Sequence, residues 1–436
     1  MQEGNKQKEN NKNDDSRLSG FYRLPIAPNI LTILDKLNFK NPTPIQEKTI
    51  SPAIEGRDII GIAQTGTGKT LSFGIPIIQA ALQGKQGFII LPTRELAKQT
   101  YEQLGAIAAP LHLRSAVLIG GEPIYRQISA LQKRPQIIIG TPGRIIDHLE
   151  QRTLSLSSIS ILVLDEADMM LDMGFAPQLK RIFQSVPRER QTMLFSATMP
   201  QNIIAIAKAN MKLPIRVEIA PPGTAATGVT HELFFVQKDD KIRLLEKIIG
   251  EYHGSILVFT RTKFGAKKIA IAIRAIGHTA VELHSNRSLS QRTEAMAGFK
   301  NGLYRILVAT DIASRGIDVK GIELVVNFDL PQAAEDYIHR IGRTARAGNV
   351  GHAISFATPD QRGSVRDIEH LMKMALPLSK LPDLPPMRRI QNINYPDHSH
   401  DQSRRVSNNK FAGSRERRQD DRHHFNGNRF NNFKKR

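Results

Sequence analysis

The chain has 436 residues, which is enough for two folded domains with additional tails. Its 61 Lys and Arg residues outnumber its 41 Asp and Glu residues, and the resulting net charge of +20 favours a polyanionic partner such as nucleic acid. The absence of cysteine excludes disulfides, thiolate zinc sites and a cysteine nucleophile. No apolar run is long enough to span a bilayer, and residues 1–20 lack the apolar core of a signal peptide. We therefore expect a soluble, cytoplasmic protein.

The first part of the chain predicts an α/β domain behind a short leader. Residues 1–20 are polar with balanced charges, which predicts a disordered leader. Over residues 21–219, short apolar runs alternate with longer helical patterns, as expected for buried parallel strands joined by helices in a doubly wound sheet. The runs are DIIGIA (58–63), GFIILP (87–92), SAVLIGG (115–121), PQIIIG (135–140), SILVLD (160–165) and QTMLFS (191–196).

The second part predicts another α/β domain of the same design. APPGTAATGVT (220–230) is small, uncharged and rich in Pro and Gly, which is typical of a linker. The alternation then resumes over residues 231–378, and the predicted sheet is again parallel. Its runs are GSILVFT (254–260), TAVELH (279–284), YRILVAT (304–310), IELVVNF (322–328) and HAISFAT (352–358).

Residues 379–436 predict a basic, largely disordered tail. Over residues 391–436, eleven Lys and Arg stand against five Asp and Glu, and there is no leucine. Such a segment cannot bury enough apolar surface to fold. The simplest function is to keep the protein in solution. The phenylalanines among the arginines favour a flexible RNA-binding tail that uses charge and base stacking.

The segment AQTGTGKT predicts a phosphate-binding loop, because it lies between a predicted strand and a predicted helix. The turn's N–H groups can surround phosphates, Lys69 can reach the β- and γ-phosphates, and the Thr70 hydroxyl can bind Mg²⁺. The usual first glycine is replaced by Ala63. The alternative is a chance glycine-rich turn. The predicted nucleotide-binding residues are Ala63, Gln64, Thr65, Gly66, Thr67, Gly68, Lys69 and Thr70.

The segment VLDEAD (163–168) ends a second buried run with three carboxylates. Ligands bind at the carboxyl ends of strands in open α/β sheets, so Asp165 suits Mg²⁺ held through water. Glu166 suits the positioning and polarising of an attacking water. A solvated acidic loop is the alternative, but a phosphate loop in the same domain favours catalysis.

Together with SAT (196–198), these two segments resemble the DEAD-box RNA helicases of superfamily two. The resemblance covers about residues 21–378, and the segments VFTRTKFGA, HSNRSLSQR and VRDIEHLMK are most similar to the bacterial RhlE-like branch. It implies two RecA-like domains in tandem. It also implies an RNA-dependent ATPase that uses ATP and Mg²⁺ to separate short RNA duplexes, in a pathway such as ribosome assembly or RNA turnover.

The resemblance implies an adenine site upstream of the phosphate loop. NFKNPTPIQ (38–46) is similar to the family's adenine-recognition motif, and Phe21 stands well before it. Phe39 is expected to stack on adenine, and Gln46 to read its edge, because an amide both donates and accepts hydrogen bonds. Asp318, in ATDIASRGID (309–318), is expected at the ATP ribose.

The family's RNA contacts match segments of both domains. In the first domain these are PTRELA (92–97), the glycine pair at 120–121 and TPGR (141–144), although TPGR alone also fits a simple helix start. Hydroxyls, glycine N–H groups and arginines suit a sugar–phosphate backbone. The expected RNA-binding residues are Pro92, Thr93, Arg94, Gly120, Gly121, Thr141, Pro142, Gly143, Arg144, Arg261 and Thr310.

Two further motifs concern hydrolysis and its coupling to strand separation. SAT is similar to the coupling motif, which implies that Ser196 and Thr198 act with Asp168 and His339. HRIGRTARAG (339–348) carries evenly spaced arginines, which repel each other unless an anion lies among them. The resemblance implies that two of them, Arg343 and Arg346, reach the γ-phosphate when the domains close. A solvated basic helix face is the alternative.

Several positions depart from the family pattern. Leu289 and Ser285 stand where RhlE-like sequences usually have glutamine and glycine, which predicts a weaker second-domain RNA or interdomain contact. Ala345 replaces a common glycine between the two arginines that are expected at the γ-phosphate.

Three functions fit the sequence to different degrees. An ATP-dependent RNA helicase is favoured, and an ATP-dependent RNA clamp or scaffold with little unwinding activity is the alternative. A DNA translocase fits the basic charge but is disfavoured by the adenine motif together with SAT. Loss of Lys69, Glu166 or Arg346 would have indicated an inactive scaffold, and all three are present.

Overall fold

The structure is a computed structural model that describes residues 20–64, 66–219, 228–311, 321–344 and 351–386. These residues contain two separate parallel sheets, which confirms the predicted fold class of two α/β units. We call the first sheet with its helices, up to residue 219, the first lobe, and the second sheet with its helices the second lobe. No helix within these ranges is long and apolar enough to cross a membrane.

The first lobe is built on a seven-stranded sheet whose neighbouring strands all pair in parallel. In chain order the strands are β1 (Ile59–Ile62), β2 (Gln86–Ile90), β3 (Ser115–Leu118), β4 (Ile137–Gly140), β5 (Ile159–Leu164), β6 (Gln191–Ser196) and β7 (Ile215–Glu218). Across the sheet the order is β3-β4-β2-β5-β6-β1-β7. This order places the end of β1 near the end of β5, with β6 between them.

Helices connect these strands, as parallel pairing requires. They are α1 (Pro28–Lys36), α2 (Pro44–Ile54), α3 (Lys69–Leu82), α4 (Arg94–Ala108), α5 (Ile124–Gln132), α6 (Pro142–Glu150), α7 (Ala167–Asp172), α8 (Ala176–Ser185) and α9 (Gln201–Asn210). Short 3-10 helices span Gly20–Arg23 and Ala109–Leu111. Gly20, the last residue of the predicted leader, therefore belongs to the first described helical turn.

Both faces of the first sheet are buried. Along β1, Ile59 packs into one apolar cluster, whereas Ile60 and Ile62 pack into another. Along β2, Ile89 belongs to the first cluster and Phe88 to the second. Burial on both faces explains why the central strands are continuous apolar runs instead of alternating ones.

The second lobe repeats the design with six parallel strands. They are β8 (Val229–Phe235), β9 (Ser255–Phe259), β10 (Ala280–Leu283), β11 (Ile306–Ala309), β12 (Ile322–Asn327) and β13 (Gly351–Ala357), in the order β10-β11-β9-β12-β13-β8. Its helices are α10 (Lys241–Glu251), α11 (Lys263–Ala275), α12 (Leu289–Lys300), α13 (Ala334–Ile341) and α14 (Arg362–Met372), with a 3-10 helix at Pro359–Gln361.

The structure differs from the predicted boundaries at two places. Strand β8 begins at Val229, inside the predicted linker 220–230, of which residues 220–227 lie outside the described ranges. Residues 379–386 were assigned to the tail, yet Arg243 donates hydrogen bonds from Nε and Nη2 to the carbonyls of Pro385 and Leu384, at 2.6 and 3.3 Å. These backbone contacts carry no strong sequence signal. The rest of the predicted leader and tail lies outside the described residues.

The interior of β1 leaves no room for a side chain at Gly61. A Cβ there would lie 2.5 Å from the ring of Phe195 on neighbouring β6. We expect Gly61→Ala to lower the free energy of unfolding by about 1–3 kcal/mol, because a close-packed core resists added volume. Urea-induced unfolding measures this loss.

Gly105→Ala is the matched control for Gly61→Ala. Gly105 lies inside α4, and a Cβ there would meet nothing within 4 Å. Alanine is expected to raise stability by up to about 1 kcal/mol, through its higher helix propensity. Equal losses in the two variants would contradict the proposed packing.

Candidate functional site: a phosphate loop and an acidic strand end

The loop from β1 to α3 has the backbone that a phosphate site requires. Gly66 and Gly68 have φ values of 86° and 96°, and Gly68 caps the N-terminus of α3. A Cβ on Gly68 would overlap the amide of Gln46 and lie 2.7 Å from the Thr43 hydroxyl. The Thr67 hydroxyl donates to the carbonyl of Gln64 at 2.8 Å, which closes the turn. Glycine at position 68 is therefore required by both conformation and space.

The structure positions most of the predicted phosphate-loop residues at this turn. Ala63 directly follows β1 and its N–H donates to the carbonyl of Ser196 at 3.0 Å. Lys69 and Thr70 are the first two residues of α3, where helix N–H groups lack intrahelical partners. Thr65 lies outside the described residues.

A buried ion pair joins the phosphate loop to the acidic segment. Lys69 is 4 % exposed, and its Nζ lies 2.8 Å from Oε1 of Glu166. Burial alone lowers the pKa of Lys69, but the carboxylates of Glu166, Asp165 and Asp168 outweigh burial, so the pKa is raised. The lysine is therefore held as a cation at the carboxyl edge of the sheet.

Asp165 follows β5 and is 5 % exposed. Its N–H donates to the carbonyl of Ile90 at 3.0 Å, which fixes it beside the end of β2. Burial raises the pKa of Asp165 to about 7, and Glu166 and Asp168 add to this while Lys69 opposes it. A carboxylate in this position favours an additional cation.

Glu166 adopts a left-handed backbone conformation, with φ 53°. This turn lets its N–H donate to Oδ1 of Asp165 at 3.0 Å and directs its side chain to Lys69. A non-glycine residue in this region is uncommon and costs about 1 kcal/mol, so the surrounding contacts must compensate.

Asp168 joins the acidic segment to the predicted coupling motif. Its Oδ2 accepts hydrogen bonds from the N–H of Ala197 and from both the N–H and the hydroxyl of Thr198, at 3.1, 2.9 and 2.9 Å. Its own N–H donates to the Ser196 hydroxyl at 3.2 Å. Burial raises the pKa of Asp168, but His339, Lys69 and these hydrogen bonds outweigh it, so the pKa is lowered. The four predicted coupling residues are thus brought together.

The predicted adenine residues lie beside the phosphate loop. Gln46 is 3 % exposed, donates from Nε2 to the carbonyl of Gly68 at 2.9 Å and accepts from the N–H of Thr43 at 2.9 Å. One amide hydrogen and one lone pair remain for another partner. Phe39 is half-buried against the same core in which Phe21, at 2 % exposure, is fully packed.

The predicted RNA residues of the first lobe gather at neighbouring strand ends. Pro92 to Arg94 follow β2, and Thr141 to Arg144 follow β4. The guanidinium of Arg94 lies against the glycine pair, since a Cβ on Gly121 would be 2.5 Å from its Nη1. Arg144 donates to the carbonyl of Glu122 at 3.1 Å. This edge therefore combines arginines with bare glycine backbone.

In the second lobe, the structure places Arg261 and Thr310 after the adjacent strands β9 and β11. The N–H of Arg261 donates to Oδ2 of Asp329 at 3.1 Å, and that of Thr310 donates to the carbonyl of Leu283 at 3.2 Å. Both are therefore at the carboxyl edge of the second sheet.

The arginines of the last motif have different environments. Arg340 is 2 % exposed and binds the carboxylate of Asp311 through Nε and Nη2, at 2.5 and 2.8 Å. Its Nη1 contacts Asn327 at 3.1 Å and the carbonyl of Asp329 at 2.6 Å. The even spacing of the arginines in the sequence does not distinguish Arg340 from the others. The anion beside Arg340 is the protein's own Asp311.

Of the two arginines expected at the γ-phosphate, only Arg343 lies within the described residues. Arg343 is 4 % exposed, and its Nε donates to the carbonyl of His339 at 3.2 Å. Arg346, Ala345 and the predicted ribose residue Asp318 lie outside the described residues.

Sequence analysis missed a contact between the lobes. Arg292 in α12 forms an ion pair with Glu95 in α4, with Nη2 and Oε2 2.9 Å apart. Leu289, for which a weaker contact was expected, packs against the apolar cluster of the first lobe. Pairing across distant segments leaves no local pattern, so the sequence alone could not find it.

A second missed feature supports the RNA residues of the first lobe. Gln127 in α5 donates to the carbonyl of Ile119 at 2.8 Å and contacts Nε2 of His148 at 3.1 Å. Burial lowers the pKa of His148, with Arg144 adding to the effect. This pair ties the helix after the glycine pair to the helix that starts at Pro142.

The space around Gly68 predicts the result of one substitution. Gly68→Ala is expected to weaken ATP binding by at least about tenfold, because the methyl group displaces Gln46 and the strained turn must open. Gly84→Ala is the control, because Gly84 also has positive φ (81°) but a Cβ there would meet nothing within 4 Å. Calorimetric titration with a non-hydrolysable ATP analogue measures both, and equal weakening would contradict the steric argument.

Comparisons with known proteins identify the family of the chain. The DEAD/DEAH box helicase family matches residues 43–206, and the helicase conserved C-terminal domain matches residues 240–348. The chain is 43 % identical over 350 residues to an ATP-dependent rRNA helicase, RRP3, of Mycosarcoma maydis, covering 79 % of this chain and 62 % of that protein. It is 41 % identical over 371 residues to the DEAD-box ATP-dependent RNA helicase CshA of Geobacillus kaustophilus, covering 84 % and 78 %.

The fold also matches a solved structure. S. cerevisiae Dbp5 bound to RNA and ADP BeF3 superposes with a TM-score of 0.75 at 28 % identity, covering 83 % of this chain and 95 % of that one. This match extends over both lobes, and the family matches include the phosphate loop, the acidic segment and the whole arginine motif. The chain therefore belongs to the DEAD-box family of ATP-dependent RNA helicases.

Proposed function

We propose that the chain is an RNA-dependent ATPase that separates short RNA duplexes or remodels RNA–protein complexes. The observation that carries the proposal is the buried pair of Lys69 and Glu166 beside Asp165, at the edge where β1 and β5 end. A phosphate loop, a fixed cation and an acidic residue that can orient water are the parts that phosphoryl transfer needs.

Residues of the first lobe bind and orient the nucleotide in this proposal. The loop N–H groups at Gly66 to Gly68 and the amino group of Lys69 bind the phosphates, and Gln46 uses its remaining donor and acceptor on adenine. Phe39 stacks on the base, and the packed Phe21 supports that segment. Asp318 binds the ribose.

A magnesium ion fits the same site. The Thr70 hydroxyl and the Asp165 carboxylate are hard oxygen donors. Burial, together with the nearby Glu166 and Asp168, raises the pKa of Asp165, and a bound cation would oppose this. Mg²⁺ keeps several waters and binds phosphates, so these two residues suffice from the protein. When bound, it neutralises charge on the phosphates. Glu166 then orients and polarises the attacking water.

Coupling to RNA runs through the contacts of Asp168. Its carboxylate holds the backbone of Ala197 and Thr198 and is close enough to His339 of the second lobe for that imidazole to lower its pKa. Movement of the second lobe therefore changes the environment of the acidic segment directly. Closure also brings Arg343 and Arg346 to the γ-phosphate, so that hydrolysis depends on the closed state.

RNA is the proposed polyanion, bound through its backbone by the predicted residues at the carboxyl edges of both sheets. The family relatives named as rRNA helicases make ribosomal RNA the first substrate to test, and the cytoplasm is the proposed location. Membership of the RhlE-like branch stays a prediction. ATPase assays with RNA and with DNA, run side by side, show which nucleic acid stimulates hydrolysis. A duplex-separation assay distinguishes a helicase from a clamp with little unwinding activity. Stimulation by DNA alone would contradict the proposal.

Glu166→Gln is expected to keep ATP and RNA binding and to lower turnover by about 10²-fold or more. The amide retains the side chain's shape and an acceptor for Lys69, but it loses the charge that polarises water. Steady-state ATPase measurements with saturating RNA, together with the lifetime of the ATP–RNA complex, check this. Near-normal turnover would assign the role to another acid, with Asp168 as the next candidate.

Arg346→Ala and Arg340→Ala separate a catalytic arginine from a structural one. Arg346→Ala is expected to leave stability and ATP binding unchanged while RNA-stimulated hydrolysis falls on the order of 10³-fold. Arg340→Ala is expected to cost about 3–5 kcal/mol of stability, because it removes a buried guanidinium that binds the Asp311 carboxylate, Asn327 and the carbonyl of Asp329. Thermal unfolding and ATPase assays distinguish them. Hydrolysis by Arg346→Ala within a few-fold of wild type would exclude the catalytic role.

A further inference from the structure

Two aromatic side chains are largely exposed, one in each lobe. Tyr125 is 64 % exposed and Phe264 is 72 % exposed, and no other aromatic side chain of the described residues is more than half exposed. Each is the second residue of its helix, α5 or α11. Each helix directly follows a segment that carries proposed RNA-binding residues.

A cation lies over each ring. The guanidinium of Arg126 is 6.0 Å from the ring centre of Tyr125, and Nζ of Lys263 is 5.3 Å from that of Phe264. Each ring is largely exposed, so it is accessible to another planar group. We call Tyr125 with Arg126 the first platform, and Phe264 with Lys263 the second platform.

The first platform is held in place beside the glycine pair. Gln127, two residues after Tyr125, is buried and bound to the carbonyl of Ile119 and to His148, which fixes α5 against the strand end. Residues that are two positions apart on an α-helix point to roughly opposite sides of it. Because Gln127 points into the protein, Tyr125 points outward. Arg94 lies against Gly120 and Gly121 just before this helix.

The second platform lies in a basic surface. Arg261, Lys267 and Lys268 are exposed around it, and Lys267 and Lys268 follow Phe264 by three and four residues, on the same helix face. Nζ of Lys263 also donates to Oδ1 of Asn286 at 3.0 Å, which holds the cation in position. No carboxylate of the described residues pairs with Lys263, Lys267 or Lys268.

The charge of these surfaces selects the ligand. An aromatic ring among cations suits single-stranded nucleic acid, in which a base stacks on the ring while nearby cations bind phosphates. We propose that Tyr125 and Phe264 each stack on one unpaired base of the bound RNA, beside the backbone contacts of their own lobe. This inference rests on the proposed RNA-binding function and adds base contacts to a site otherwise built for the backbone.

Stacking is tolerant of sequence, because every base has an aromatic face. The platforms therefore strengthen binding to unpaired nucleotides without selecting a sequence. A base within a duplex is stacked on its neighbours, so the platforms favour the single-stranded product over the duplex.

The test compares binding of the full chain, without nucleotide, to a fluorescent single-stranded RNA and to the same backbone with abasic sites throughout. Tyr125→Ala and Phe264→Ala are each expected to weaken binding to the intact RNA by about fivefold or more. Neither is expected to change binding to the abasic strand. Tyr125→Phe and Phe264→Tyr keep an aromatic ring and are expected to bind as wild type.

Two controls separate stacking from other effects. Leu213→Ala removes an apolar side chain that is 88 % exposed but not aromatic, and the variant is expected to bind both strands as wild type. Arg126→Ala is expected to weaken binding to both strands and to reduce the dependence of affinity on salt.

The outcomes are distinguishable. If wild-type protein binds neither strand, the proposed function fails and this inference fails with it. If wild type binds intact RNA but the alanine variants bind it equally well, only the stacking proposal is overturned, and the rings are free for a protein partner. Equal weakening on intact and abasic strands would also overturn stacking, because the rings would then act through the backbone.

Discussion

The ion pair between Lys69 and Glu166 is the interaction on which the site depends. Two chain segments that are nearly a hundred residues apart meet there, 2.8 Å from each other and almost fully buried. Burying either charge without the other is costly, so each residue fixes the position of the other. The pair also places a cation where phosphates are proposed to bind and an acid where the attacking water is proposed to lie. In the proposed function, nucleotide binding exchanges this contact for contacts to phosphate.

The sheet topology makes this pair possible. Because β1 and β5 are both parallel to β6, the loop after β1 and the acids after β5 emerge at the same edge. Asp168 extends the connection to β6 by binding the backbone that follows Ser196. Of the three carboxylates, Glu166 pairs with Lys69, Asp168 binds the backbone of Ala197 and Thr198, and Asp165 is the proposed Mg²⁺ ligand. The left-handed backbone conformation of Glu166 lets neighbouring carboxylates point in different directions.

Much of this arrangement could be predicted from the sequence, because local patterns carry it. Continuous apolar runs indicated strands that are buried on both faces, and the glycines of the phosphate loop indicated a turn that the structure forms with positive φ. The edge strands β7 and β8 were not predicted. Of the residues of β7, Ile215–Glu218, only Val217 is buried, and β8 begins within a segment whose composition is typical of a linker. β7 and β8 therefore lack the continuous apolar run that burial on both faces gives a central strand.

Contacts between distant segments of the chain were the other feature that the sequence did not predict. The pairing of Arg340 with Asp311 and of Arg292 with Glu95 depends on folding and leaves no spacing in the chain. The local sequence does not reveal that Arg340 is buried against a carboxylate of its own lobe, whereas Arg292 joins the two lobes. Exposed positions such as Tyr125 had no expected role, because exposure itself is a property of the fold.

The central claim is that Lys69 and Glu166 hold each other in the absence of nucleotide, and a double-mutant cycle on stability tests it most directly. Urea-induced unfolding of Lys69→Met, Glu166→Gln and the double variant gives the coupling free energy. We expect Lys69→Met to cost about 3–5 kcal/mol, because it leaves buried carboxylates unpaired. The double variant should lose less than the sum of the single losses, by about 0.5–3 kcal/mol. Additive losses would contradict the account.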